Sequence, residues 1–203
     1  VNRRQIFDTA KTLANRPTLS DDNLASLLSV LDGELNTALR DHPRNQANTQ
    51  YTIPTLDSQG QPYATDTNIL PLPTNMARLR SLVGPEGKDY KQYPPTLRGN
   101  IPDYSYIERG NCLEVYPTPT RGAMFDMDYY AFLRGLESDS DENWVSRYFA
   151  NLYVYGMLKQ VAIFTKDAKN LPDWRAQFET ALAAAIRQGW GQNIGSSPVV
   201  RAA

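Results

Sequence analysis

The chain has 203 residues, 41% of them apolar and 10% aromatic, enough for one globular domain or a helical core carrying a smaller β module. A formal net charge of −1 argues against a sequence-independent grip on nucleic acid, which rests on Lys and Arg meeting phosphates. A single cysteine, Cys112, excludes an internal disulfide framework and a Cys-based zinc site, and no apolar run approaches the roughly 18 residues of a membrane span. No uninterrupted apolar stretch follows the basic residues near the N-terminus, so no secretion signal is expected there. These features predict a soluble protein made in a reducing compartment.

In chain order, Asn2 to Ala14 reads as a first helix, with Asn2 and Gln5 spaced as a capping box and Ile6, Ala10 and Leu13 on one face. Pro17 ends it. Ser20 offers the next cap, and Asp21 and Asp22 sit where the helix dipole favours negative charge. Leu24, Leu27, Leu28, Leu31, Leu35, Ala38 and Leu39 then form the cleanest amphipathic stripe in the chain. His42 to Thr49 is polar and reads as loop. Tyr51–Leu56 and Tyr63–Ile69 lean toward strand and suggest a hairpin with a long tip. Leu70 to Pro73 is extended by proline geometry, 77–83 is a strand or a helical turn, and 84–95 reads as loop. Three short strands follow at 104–109, 112–116 and 123–133, the first two joined by a tight Gly110-Asn111 link. They predict a small antiparallel meander. Gly135 to Glu142 is an acidic linker.

The stretch Asn143–Ile186 carries the strongest helical signal. Phe149, Leu152, Tyr153, Gly156, Met157, Ile163 and Phe164 share one stripe, and Tyr148, Tyr155, Leu158 and Ala162 extend the apolar surface round the flank. After a Lys166-Asp167 break, Trp174, Phe178, Ala181, Leu182, Ala185 and Ile186 make a second stripe, and the two helices predict an αα-hairpin. The first helix has more apolar perimeter than one partner can cover, which places it in a core or between subunits, with Tyr148, Tyr155 and Leu158 as the candidates for contact between subunits. Three glycines (Gly189, Gly191 and Gly195), Pro198 and little charge argue that the helix stops near Gln188, before an apolar tail with Trp190, Ile194, Val199 and Val200.

Candidate chemistry is sparse. His42, the sole histidine, sits at a helix end, where a cation suits the dipole, and serves a catalytic arrangement poorly. Cys112 begins a strand and reads as a small packed side chain. Asp126 and Asp128 alternate on one strand face, where they could hold a divalent cation, although a solvated face is the commoner role of such a pair. Counted from Asp139, a calcium loop would need Gly at its sixth position and Glu at its twelfth, and the chain has Trp144 and Ala150. A solvated acidic loop fits better. The cluster Trp144, Tyr148, Phe149, Tyr153 and Tyr155 lacks the interleaved cations of a nucleic-acid stacking platform and reads as packing. Arg3, Arg4, Arg40 and Arg44 are scattered charges that keep a surface wet. No cofactor is expected.

The order of signals resembles one known family. A proline-rich approach to a short run (LPLPTNMARLRSLV) precedes a strand pair with Tyr104 or Tyr106, Ile107, Glu108, Gly110, Leu113, Val115, Pro117 and Pro119. Asp128-Tyr129-Tyr130, an Asn143-Trp144 turn, Leu152-Tyr153-Val154-Tyr155-Gly156 and a helix anchored on Trp174 follow. This series, over about residues 70–187, resembles the head-to-tail adaptors of tailed bacteriophages, also called head-completion or tail tubular proteins. The longer 42–69 segment and the 84–95 loop depart from the family pattern. The resemblance implies a non-enzymatic virion protein, made in the host cytoplasm and placed in the phage neck. It implies a ring of usually twelve copies that joins the portal protein to the tail nozzle and lets DNA pass without sequence-specific binding or any membrane. On this reading the tail residues Trp190, Ile194, Val199, Val200 and Arg201 reach the portal. The fold expected is α+β: an antiparallel helical bundle of residues 1–41 and 145–188, an inserted small antiparallel β module at 42–144, and an extended tail at 189–203. The alternatives are a metal-dependent enzyme built on Asp126 and Asp128, or another tail or capsid accessory subunit.

Overall fold

The computed structural model describes residues 1–54, 68–94 and 101–193, with side chains as far as Gln188. They divide into two compact units, residues 1–45 with 133 onward, and Gln46–Phe132.

The first unit is helical among its described residues. Helix α1 (Arg3–Leu13) opens on a reciprocal capping box, in which Gln5 N–H donates to Asn2 Oδ1 at 2.9 Å and Asn2 N–H to Gln5 Oε1 at 3.0 Å. Two further first-turn donors, the N–H groups of Arg3 and Arg4, reach the carbonyls of Asp141 and Asp139 at 3.3 and 3.2 Å. The acidic stretch 137–142 is therefore tied to a helix start that needs acceptors. The Asp141 carboxylate in turn accepts from Ser138 N–H and Glu137 N–H, and the Ser138 bonds hold it below the usual carboxylate range.

Helix α2 (Asp21–Ala38) is capped by Ser20, whose hydroxyl accepts from Asn23 N–H. Leu24, Leu28, Leu31, Leu35 and, one turn on, Leu39 are all buried. Burying five leucines at roughly 1.5–3 kcal/mol each makes this stripe a principal source of the unit's stability.

The long helix expected from Asn143 is two helices. Helix α3 (Trp144–Tyr148) has its own capping box between Asn143 and Ser146, and Phe149 (φ −133°, ψ 51°) interrupts the spiral before α4 (Ala150–Phe164). Helix α5 (Leu171–Asn193) runs past Gln188 through two glycines, where a stop was expected. Glycine costs about 1 kcal/mol per position inside a helix, and that is too little to halt one already nucleated over four turns. Helices α1, α2, α4 and α5 share one core, with Ile6, Phe7, Leu31, Leu152, Tyr153, Met157, Phe178 and Ala185 within it.

Among its described residues the second unit is a sheet of seven strands: β1 (Gln46–Thr52), β2 (Ile69–Pro71), β3 (Met76–Val83), β4 (Asp89–Gln92), β5 (Ser105–Arg109), β6 (Cys112–Tyr116) and β7 (Met124–Ala131). Their order is β1-β7-β3-β4-β5-β6-β2, and the β4–β5 pair is parallel while the others are antiparallel. This overturns the expected architecture. Among the described residues the protein is a mixed α+β fold with five α-helices and a nearly closed, barrel-like mixed sheet, in place of a helical bundle bearing a small antiparallel insert.

Three local expectations change with it. Residues 46–49, read as loop, begin β1, and 89–92, also read as loop, form β4. Tyr51 and Thr52 pair with β7 and Ile69 pairs with β6, so these ends of the expected hairpin join different neighbours, while residues 55–67 lie outside those described. Strands β5, β6 and β7 are no meander either: β5 and β6 form the hairpin, with Gly110 at φ +60° in its turn, while β7 lies between β1 and β3. Alternation in β7 is as expected, with Phe125, Met127 and Tyr129 buried and Asp126, Asp128 and Tyr130 on the other face.

Candidate functional site

Two polar assemblies sit within the helical unit. Tyr153, fully buried on α4, donates its hydroxyl proton to Asp32 Oδ1 on α2 at 2.8 Å and accepts from Asn143 Nδ2 at 2.7 Å. Burial raises both the Tyr153 phenol and the Asp32 carboxyl above their ordinary values. One turn and a half along α4, the Lys159 ammonium contacts both Glu34 oxygens at 2.6 Å and lies 4.0 Å from the centre of the Phe178 ring. Each charged or polar head is matched on the facing helix, so these groups set how α2 and α4 pair and offer no free nucleophile or base.

In the sheet unit, both Asp128 carboxylate oxygens are engaged, Oδ1 by Asn48 Nδ2 at 2.7 Å and Oδ2 by Ser81 Oγ at 3.1 Å. The pairing Asn48↔Asp128 and the bulge in β3 that sets Ser81 opposite Asp128 place these partners. No group of three or more His, Cys, Asp or Glu side chains with metal-holding geometry occurs among the described residues. Cys112 Sγ donates to the Arg109 carbonyl at 3.2 Å across the β5–β6 turn.

The three candidates for contact between subunits separate. Tyr148 is 57% exposed on α3, with the Arg44 guanidinium 4.3 Å above its ring. Tyr155 is half-buried and stacks on Trp174 at 6.3 Å between ring centres, locking α4 to α5. Leu158 is 1% exposed, so its own subunit already covers it. Two residues assigned to the core stripe emerge instead as surface: Ile163 is 53% exposed and Phe164 51%. The buried row at that end of α4 runs through Met157, Leu158, Val161 and Ala162, while Ile163 and Phe164, on the helical face of Leu152 and Tyr153, stand in the last turn.

Beside Tyr148 lies an open groove of about 350 Å³, lined by Phe149, Asn151 and Leu152 of the α3–α4 junction and by Ala181 and Ala184 of α5. Small alanines on α5 leave this space. Trp190 falls within α5, and Ile194, Val199, Val200 and Arg201 lie outside the described residues.

Stacked aromatics, an alanine-lined groove and half-exposed apolar side chains mark the surface of the helical unit. The chain belongs to the SU10 adaptor protein family, whose model matches residues 2–202. It is thus a phage structural adaptor, of a family associated with the virion neck. A search of curated proteins gives no match.

Proposed function

We propose that this protein is a ring-forming head-to-tail adaptor that joins the portal to the tail nozzle and prolongs the channel through which DNA moves. The observation that carries this reading is the family match across nearly the whole chain, residues 2–202. The surface agrees with it: Tyr148, Ile163 and Phe164 expose apolar area on one helical unit, beside an alanine-lined groove. A ring requires two different faces of one subunit to meet head to tail, and α3 with the start of α4 offers one face while the end of α4 offers another. Tyr148 and Tyr155 belong to the first of these. A formal net charge of −1 suits a wall that DNA slides past. The subunit is made in the host cytoplasm and enters the virion at the neck.

The tail from Trp190, with Ile194, Val199, Val200 and Arg201, is the segment assigned to the portal. Deleting residues 190–203 leaves Phe178 and Ala185, the buried residues of α5 among those described, in place, so the shortened protein is expected to fold. It should retain its circular-dichroism spectrum and fail to co-sediment with portal rings. Undiminished co-sedimentation would remove the tail from the interface.

A further inference from the structure

The single histidine is buried at the meeting point of three elements. His42, 5% exposed, follows α2, and its ring stacks on Trp144 of α3 with 4.4 Å between centres and 17° between planes. Its Nδ1 accepts from Arg44 N–H at 3.1 Å, so the ring proton resides on Nε2 and is donated to the Ala185 carbonyl of α5 at 3.2 Å. Trp144 Nε1–H donates to Asn45 Oδ1 at 2.7 Å, and Asn45 Nδ2 donates to the Leu39 carbonyl at 2.8 Å, closing the network. Only the neutral imidazole fits these partners, because a proton on Nδ1 would point at the Arg44 N–H.

We propose that His42 makes the seating of α5 around Ala185 sensitive to pH, so that protonation of the imidazole in mildly acid solution loosens α5 from the α2–α3 junction.

The charges around the ring favour this. On its own segment stand Arg40, Asp41 and Arg44, the first two lining the adjacent cleft of about 310 Å³ with Ile186 of α5. Arg44 opposes a second positive charge. From α5 the ring meets a carbonyl, and the nearby Arg187 turns its Nε–H back to the Ala183 carbonyl at 3.2 Å. From α3 it meets the Trp144 indole, and Arg147 of that helix reaches Glu142 at 3.5 Å. Burial, opposed by the Ala185 carbonyl and reinforced by Arg44, pushes the imidazole below its ordinary value. The sign follows: the opened state takes up a proton at about pH 6.5 while the seated state resists it, so seating is complete above about 6.5 and weakens as pH falls below.

Because the chain has one histidine, proton NMR of the full-length protein reads its titration directly. The midpoint is expected below about 6.5. Hydrogen exchange, corrected for intrinsic rates, should show protection of peptides covering 180–188 falling severalfold, with about tenfold as the ceiling, between pH 7.5 and 5.5, with α2 peptides unchanged. His42→Gln, which keeps an acceptor and a donor but cannot titrate, should hold its protection at both pH values, and Asp41→Asn should keep the wild-type response. A midpoint at or above 6.5, or an equal loss in His42→Gln, would overturn the proposal. If His42→Gln does not fold, the wild-type midpoint and the confinement of the change to 180–188 decide it.

Discussion

Gly156→Val is expected to cost the helical unit several kcal/mol and to leave little folded protein at 37 °C. A Cβ at this position would lie 2.6 and 2.8 Å from the two methyl carbons of Leu31, with its Cγ at 3.2 Å. Leu31 is fully buried, so it cannot swing aside. Alanine here gains about 1 kcal/mol of helix propensity, against roughly 1–3 kcal/mol of overpacking, and should be mildly destabilising. Valine adds two more methyl groups at the same crossing and the stiffness of a branched Cβ. Shortening the opposing side chain tests the cause: Leu31→Ala should recover about 1–3 kcal/mol when combined with Gly156→Val, measured as a coupling in urea midpoints. A Gly156→Val protein with the wild-type midpoint, or no coupling to Leu31, would show that α2 and α4 do not approach this closely.

Leu152→Ala should cost about 2–5 kcal/mol, the range for an emptied leucine site in a core that cannot collapse. Leu152 is fully buried on α4, within the cluster that also holds Leu28, Leu31 and Phe178. The control is Ile163→Ala on the same helix. Ile163 is 53% exposed, and its replacement should change stability by no more than about 0.5 kcal/mol. Thermal melts of the two variants separate the packed part of α4 from its exposed last turn. Equal melting midpoints would mean that Leu152 is not part of the core.

How far the sequence discloses this fold depends on whether the determinant is local. The starts of α1 and α2 are legible because a cap is a contact between residues three apart, as Asn2 with Gln5 and Ser20 with Asn23. The β5–β6 hairpin is legible through Gly110-Asn111. Strands β1 and β4 are not, because their residues are mostly polar and half or fully exposed, with Tyr90 alone buried in β4 and alternate residues only half-buried in β1. What makes them strands is pairing with β7, β3 and β5, and β7 is more than seventy positions away from β1 in the chain.

The surfaces were less legible than the core. Leu158, Ile163 and Phe164 are all large apolar residues on one helix, and packing partners distant in the chain decide which of them is covered. Lys159 gave no signal of burial, since its partner Glu34 lies on α2, 125 positions earlier. His42 reads as a helix-end cation until the fold brings Trp144 and Ala185 against it as a neutral ring. The family resemblance rests on an ordered series of short motifs, each unspecific alone, and the match over residues 2–202 bears out its coarser part, a phage adaptor-type protein.

The claim on which all of this turns is that identical subunits close into a circle that seats on the portal. Electron microscopy of the purified protein mixed with its portal, with native mass measurement of the complex, addresses it directly. A closed ring stacked coaxially on the portal, of twelve subunits by the family's pattern, is the predicted result. Subunits that stay monomeric beside an unaltered portal, or that attach singly elsewhere on it, would contradict the account.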